Sequence, residues 1–361
     1  MSFLSNLFAK KEKSVLGVDI GSSSLKVVQL RKEHGKAVLE TYGELALGPY
    51  GGGEVGQATN LPAEQITETL KDLLREANVT TNNCGVSIPF ARSFLTLVNL
   101  PYRASPEEQK TVIELEARKY IPVPLGEVQL DWFIVPKMSP SQNSAEQPVT
   151  GGTVEVLLVA VHNDELSLLQ KVTTDAGLYA SFYEIEIFST IRAVVEEHVK
   201  PVMVIDVGAA STKTYVVEHG VVALSHSIGT GSQDITRAIA ISSNMSIARA
   251  EALKKEEGIG GSDTLGSPEL VFSRIFSEVR RVLIQYETEH KKSVTSIVFT
   301  GGGGVTKELG AYAKSTFSID VRIADPFTKT EAPAFMRPVL EGIGPEFAVA
   351  VGLALRKLEE I

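Results

Sequence analysis

Residues 15–28 read Val-Leu-Gly-Val-Asp-Ile-Gly-Ser-Ser-Ser-Leu-Lys-Val-Val, and residues 202–215 read Val-Met-Val-Ile-Asp-Val-Gly-Ala-Ala-Ser-Thr-Lys-Thr-Tyr. The stretches align without a gap and are identical at five positions, among them Asp19 with Asp206, Gly21 with Gly208, Ser24 with Ser211 and Lys26 with Lys213. Each reads as an apolar strand, an Asp-x-Gly turn of small residues and a second strand, which is a hairpin pattern. Two copies in one chain predict two similar α/β domains facing each other.

The turns favour phosphate. Short side chains at Gly21, Gly208 and Ala209 let backbone N–H groups approach an anion, and the hydroxyls of Ser22, Ser23, Ser24, Ser211 and Thr212 add donors. A carboxylate at each strand end repels phosphate unless a hard cation stands between them. Asp19 and Asp206 therefore predict Mg²⁺, held through water because this ion dehydrates reluctantly. Two ordinary hairpins are the plain alternative, and the duplication weighs against them.

A third element comes late. Ser296-Ile-Val-Phe-Thr300 reads as a strand, Gly301, Gly302, Gly303 and Gly304 as a turn, and Val305 to Leu309 as the start of a helix. Such a turn permits close backbone approach to a flat or charged ligand near a helix N-terminus. Four consecutive glycines are entropically costly, which argues for a ligand. No Gly-Lys-Ser/Thr follows, so this is not a P-loop. Thr306 stands where a dinucleotide fingerprint needs its third glycine.

Composition narrows the function classes. The chain has 361 residues, 43% hydrophobic and 22% charged, enough for two or three packed domains and incompatible with wholesale disorder. Its formal net charge of −9 argues against a polyanion partner such as DNA or RNA. One cysteine, Cys84, fits a reducing compartment. The six histidines lack ligand spacing, so zinc is not expected. No stretch reaches the roughly 18 apolar residues that span a bilayer. In residues 1–13 the apolar Phe3, Leu4, Leu7 and Phe8 precede Lys10, Lys11 and Lys13, the reverse of a signal peptide. A frayed tail or one short amphipathic turn is expected there, and a cytoplasmic location overall.

Between the hairpins lies more chain than one α/β domain needs. Phe94 to Leu100 reads as a strand ending at Pro101, and Ser105-Pro106-Glu107-Glu108 opens a helix that stops at Ile121-Pro122. Val128 to Val135 and Val154 to Val161 read as strands joined by a polar stretch, 139–152, expected to be a mobile hairpin tip. A helix from about Asp164 to Ala176 follows. The result is a small α/β insertion.

With these elements in view, the chain resembles the actin, Hsp70 and sugar-kinase superfamily, whose fold is a duplicated, ribonuclease H-like, two-lobe α/β ATPase. That resemblance implies ATP or ADP with Mg²⁺. It implies that Asp19, Gly21, Ser22, Ser23, Ser24, Lys26, Asp206, Gly208, Ala209, Ser211 and Thr212 form the phosphate loops, with Lys26 reaching the phosphates. Gly301 to Gly304 would lie beside the adenosine. Glu251 and Lys254 resemble the pair that contacts the ribose, although by spacing alone they are an ordinary i, i+3 pair. Pro345 to Leu355 resembles the family's final helix, where small residues permit close packing.

The insertion is similar to that of the FtsA and PilM branch, and Glu116-Ala-Arg-Lys-Tyr120-Ile-Pro122 points to the PilM family of type IV pilus assembly proteins. The boundaries implied are a tail over 1–13, a first lobe over 14–94 and 182–200 with a closing helix at 340–361, an insertion over 95–181, and a second lobe over 201–339 with a helical subdomain at about 233–262. The implied partner is the N-terminal peptide of the inner-membrane protein PilN, which would hold the chain at the inner face of that membrane. A partner groove is expected around Val86, Ile88, Leu115 and Tyr120. No glutamine occupies Tyr183 to Ile191, where actin positions its attacking water, so Glu186, or Glu184, is the candidate catalytic residue and hydrolysis is expected to be weak or absent. The competing readings are an FtsA-like filament former and a small-molecule kinase.

Overall fold

The apolar runs flanking each Asp-x-Gly turn form paired strands in the computed structural model, which describes residues 14–103, 105–135, 152–196 and 199–360. The tail over 1–13 and the expected hairpin tip up to residue 151 lie outside the described residues. The chain divides into two compact units.

The first unit gathers the described residues within Met1–Ser87, Val172–Val194 and Ala324–Ile361. Its strands are β1 (Ser14–Ile20), β2 (Ser24–Glu33), β3 (Lys36–Ala46), β4 (Asn83–Ile88) and β8 (Tyr179–Ile185), in the order β3-β2-β1-β4-β8. β1 to β3 form an antiparallel meander, and β4 runs parallel to β1. Helix α1 (Ala63–Glu76) buries Ile66, Leu70 and Leu73, one face at helical spacing. Helices α4 (Glu186–Val194), α9 (Arg337–Ile343) and α10 (Ala348–Glu359) complete the unit.

α10 packs on β1 and α4 so closely that a β-carbon at Gly17 would overlap the carbonyl of Ala350, and one at Gly352 the carbonyl of Ser189. Only glycine at both positions permits this approach. The run Ala334–Glu359 is long and apolar enough for a membrane span by composition, yet 61% of its most apolar window is buried. It behaves as the core of this unit.

Residues 324–339, expected with the second lobe, belong here. Glu331 exchanges backbone hydrogen bonds with Ala37 and Leu39 (2.7 and 2.8 Å), Lys329 Nζ donates to the Arg192 carbonyl, and Phe327 packs on Tyr42 and Phe347. Residues 179–181, expected in the insertion, begin β8. Tyr179 N–H donates to the Asn82 carbonyl and Ser181 Oγ to that of Cys84.

The second unit gathers the described residues within Ile88–Lys171 and Val195–Ile323. It contains the insertion, whose strands β5 (Ser93–Pro101), β6 (Val128–Val135) and β7 (Thr153–His162) are ordered β5-β7-β6. Pairing of Ser93 with Val161 draws residues 88–94 into this unit rather than the first. Helix α2 (Pro106–Ala117) starts as read, with Ser105 Oγ accepting from the Glu108 N–H and Pro106 in the first turn. Ile113, Ala117, Leu100, Val156 and Leu158 form a local core. Helix α3 (Asn163–Asp175) then leads back to the first unit.

The rest of this unit repeats the first hairpin. β9 (Val202–Val207), β10 (Thr212–Glu218), β11 (Val221–Ile228), β12 (Ser296–Thr300) and β13 (Asp320–Ile323) are ordered β11-β10-β9-β12-β13. Every residue of β9 is buried, as in a strand covered on both faces. Helices α5 (Ser232–Ser242) and α6 (Ile247–Glu257) follow β11. Helix α7 (Ser267–His290) lays Phe272, Phe276, Val279, Leu283 and Tyr286 on the core at helical spacing, and α8 (Leu309–Thr316) lies between β12 and β13.

Candidate functional site

Both Asp-x-Gly turns close by the same bond. The Gly21 N–H donates to the Ser24 carbonyl at 3.1 Å, and the Gly208 N–H to the Ser211 carbonyl at 3.0 Å. Other backbone groups then hold each loop by its carbonyls. Leu47 and Thr59 donate to Ser23 and Ser22 in the first, Ser232 and Gln233 to Gly208 and Ala209 in the second. Among the described residues, the N–H groups of Ser22, Ser23, Ala209, Ala210 and Ser211 donate to no protein acceptor. Each loop thus presents a set of uncommitted donors on short residues, the requirement for an anion nest.

Strand register arranges the charged residues in rows. Asp19 is paired with Lys26 across β1 and β2, and Lys26 with Glu44 across β2 and β3. In the second unit Thr300 is paired with Asp206, Asp206 with Lys213, and Lys213 with Ser227. On the other side of Asp19, Ser87 Oγ donates to Oδ1 at 2.9 Å. Ser87, Glu44, Thr300 and Ser227 escaped the sequence reading because strand pairing, not spacing, brings them to the aspartates and lysines.

The second unit joins most of its predicted residues in one network. The Gly303 N–H donates to the Val207 carbonyl at 2.7 Å. Gly301 has φ +81°, and a β-carbon there would overlap Asp206 Oδ1. Glu251 and Lys254 are buried and bonded to each other at 2.6 Å, and Thr236 Oγ donates to the same carboxylate oxygen at 2.6 Å. Burial pushes the Glu251 carboxyl up, but Lys254 and Thr236 outweigh it and hold the group below the usual carboxylate range. Lys254 Nζ also donates to the carbonyl of Ser232, whose own N–H holds Gly208. The predicted ribose pair is therefore tied to the second turn through Ser232. Thr236 is a further member that spacing did not reveal.

Three expectations change. The helix after the glycines begins at Leu309, not at Val305, because residues 301–305 form turns and Glu308 takes a left-handed conformation. The glycines therefore do not sit at a helix N-terminus. Glu184 lies on β8 and is bound by both nitrogens of the Arg192 fork, by Ser189 and by Arg356. Burial raises its pKa, but these partners lower it further, so it is a structural anion rather than a base. Glu186 opens α4, buried, with its carbonyl accepting from Thr190 Oγ.

The third change concerns the partner groove. Val86 and Ile88 are sealed, at 0% and 4% exposure, so their side chains offer nothing to a partner. Leu115 and Tyr120 are exposed, and Tyr120 follows the end of α2 rather than lying on it. Cys84 is fully buried, and burial pushes its thiol up to about 12, as expected of an inert core cysteine.

Among the described residues no group of three or more His, Cys, Asp or Glu could cage a metal. One buried carboxylate per turn suits Mg²⁺ carried by phosphate and water, which needs few protein ligands.

The family model described as type IV pilus assembly protein PilM matches residues 17–358. The chain belongs to this family. A solved PilM–PilN type IV pilus biogenesis complex is similar with a TM-score of 0.79 and 24% identity, covering 95% of this chain and 98% of that one. The ethanolamine utilization protein EutJ from Carboxydothermus hydrogenoformans gives a TM-score of 0.56 at 13% identity, covering 98% and 95%. MreB5 of Spiroplasma citri bound to AMPPNP gives 0.53 at 12%, covering 96% and 97%. The fold is thus actin-like, as the duplicated hairpins implied, in a PilM-family chain.

Proposed function

We propose that this PilM-family chain is an ATP-binding scaffold of the type IV pilus inner-membrane platform, working on the cytoplasmic side and recruited by the N-terminal peptide of a PilN protein. The observation that carries the nucleotide part is the matched pair of turns, each with uncommitted N–H donors beside a buried aspartate. The first turn, with Lys26, and the second, with Gly301 to Gly304, Glu251 and Lys254, are the groups that would hold ATP or ADP. Asp19 and Asp206 would position the waters of Mg²⁺. When bound, the ion neutralises phosphate charge that these carboxylates otherwise repel.

Turnover is slow in this reading. Glu184 is bound by two arginines, and Glu186 is the acid that would orient water in this reading. ATP then acts as a ligand that stabilises the state it binds. The partner part rests on the family and on the PilM–PilN complex that the chain resembles. Calorimetric titration with a synthetic peptide of the PilN N-terminus tests it: saturable one-to-one binding is expected, and no binding by the folded protein would refute recruitment by that peptide.

A further inference from the structure

The two charged rows end differently. The first runs Asp19, Lys26, Glu44, and the second Asp206, Lys213, Ser227. Lys26 Nζ lies 3.0 Å from Glu44 Oε1 and 2.7 Å from Ser24 Oγ, with only 11% of its side chain exposed. Burial lowers its pKa, but Glu44 first, then Asp19 and Glu346, outweigh that and raise it. Glu44 answers in kind. Burial pushes its carboxyl up, while Lys26, Ser24 and Glu346 hold it below the usual range. The lysine thus has its counter-charge in place without any ligand. At the equivalent register position Lys213 is paired with a neutral serine, Ser227, and its Nζ lies 3.4 Å from Asp206 Oδ2.

We propose that Glu44 is a resident counter-anion of Lys26, one that a polyphosphate must displace in order to engage the first turn. This rests on the nucleotide reading above and adds to it the residue that sets affinity. An ammonium has three donor directions. Ser24 and Glu44 take two of them, and Asp19, opposite Lys26 in the strand register, adds further negative charge on that side. An incoming phosphate competes with a carboxylate for the same cation and meets its repulsion. The penalty grows with the charge of the polyphosphate. Glu44 is 38% exposed, on edge strand β3, so it can turn to solvent when displaced.

The test titrates the full chain and Glu44→Gln with Mg·ATP, Mg·ADP and AMP. Glutamine keeps the length and a hydrogen bond to Ser24 but removes the charge. Mg·ATP affinity should rise about tenfold, as expected for removing one unit charge a few ångströms away in a half-exposed site. Mg·ADP should gain less, and AMP should stay within about twofold. The double variant Lys26→Ala with Glu44→Gln should lose the gain. A merely structural Glu44 would shift the melting temperature without ordering the ligands by phosphate number. If Glu44→Gln proves unstable, Glu44→Ala, which removes the same charge from an exposed edge strand, should show the same order. Unchanged or weaker Mg·ATP binding by a folded variant, with the wild type still binding, overturns this inference alone. No binding by either protein at millimolar nucleotide overturns the nucleotide reading and this inference with it.

Discussion

Gly301 lies against the carboxylate of Asp206, so near that a β-carbon at residue 301 would overlap Oδ1. The backbone at Gly301 is also left-handed, with φ +81°. Its neighbour Gly302 has open space where a β-carbon would go. Gly301→Ala should therefore cost roughly 1–3 kcal/mol through strain and displacement of Asp206. It should also abolish nucleotide-induced stabilisation. Gly302→Ala should leave the melting temperature of the free protein nearly unchanged. Thermal melts of both variants, with and without Mg·ATP, check this, and equal behaviour of the two would contradict the close packing of glycine and carboxylate.

Glu184 should make the fold acid-sensitive. Its carboxyl is held below the usual value near 4.5, chiefly by Arg192, then by Ser189 and Arg356, against the opposing effect of burial. A lowered folded pKa means that its stabilisation is fully present above about pH 4.5 and fades as pH falls from there through the folded value. Glu184→Gln should cost about 3 kcal/mol at neutral pH, because two arginines lose their buried anion. Its urea midpoint should then fall less steeply below pH 4.5 than that of the wild type. Parallel profiles would show that Glu184 does not carry this pH dependence.

The insertion offers a clean contrast between surface and core. Leu115 and Tyr120 are 55% and 40% exposed, while Ile113, two residues earlier on α2, is fully buried. Leu115→Ala and Tyr120→Ala should weaken binding of the PilN N-terminal peptide about tenfold at an unchanged melting temperature, the loss typical of a binding hot spot. Ile113→Ala should cost about 2–5 kcal/mol of stability. Calorimetric titration paired with melting curves separates the two effects, and full peptide affinity in both surface variants would move the contact elsewhere.

What the sequence made legible was local. The hairpins at Asp19 and Asp206 were readable because each fits within 14 residues, and α2 because Ser105 and Pro106 mark its start. What it hid was long-range. Glu44 reaches Lys26 only through pairing of β2 with β3, and Ser227 reaches Lys213 through β10 with β11. Val86 and Ile88 looked like pocket residues because an apolar alternating strand reads the same whether its sides face a groove or two packed layers. Residues 324–339 have no strong periodicity of their own. Contacts made by Phe327, Lys329 and Glu331 with the first sheet and α4 decide their unit. The late start of α8 followed from the left-handed Glu308, which no helix-breaking residue announces.

The most direct measurement is calorimetric titration of Mg·ATP into the full chain, Asp19→Asn and Asp206→Asn, with circular dichroism confirming that each variant is folded. One saturable site is expected in the wild type, weakened in both variants by at least about tenfold and insensitive to Mg²⁺ in them. At a hundredfold excess over the wild-type Kd the ligand should stabilise the native protein by about 2.7 kcal/mol. Equal affinity and equal Mg²⁺ dependence in all three proteins would contradict the claim that these two buried aspartates serve a metal-bridged nucleotide.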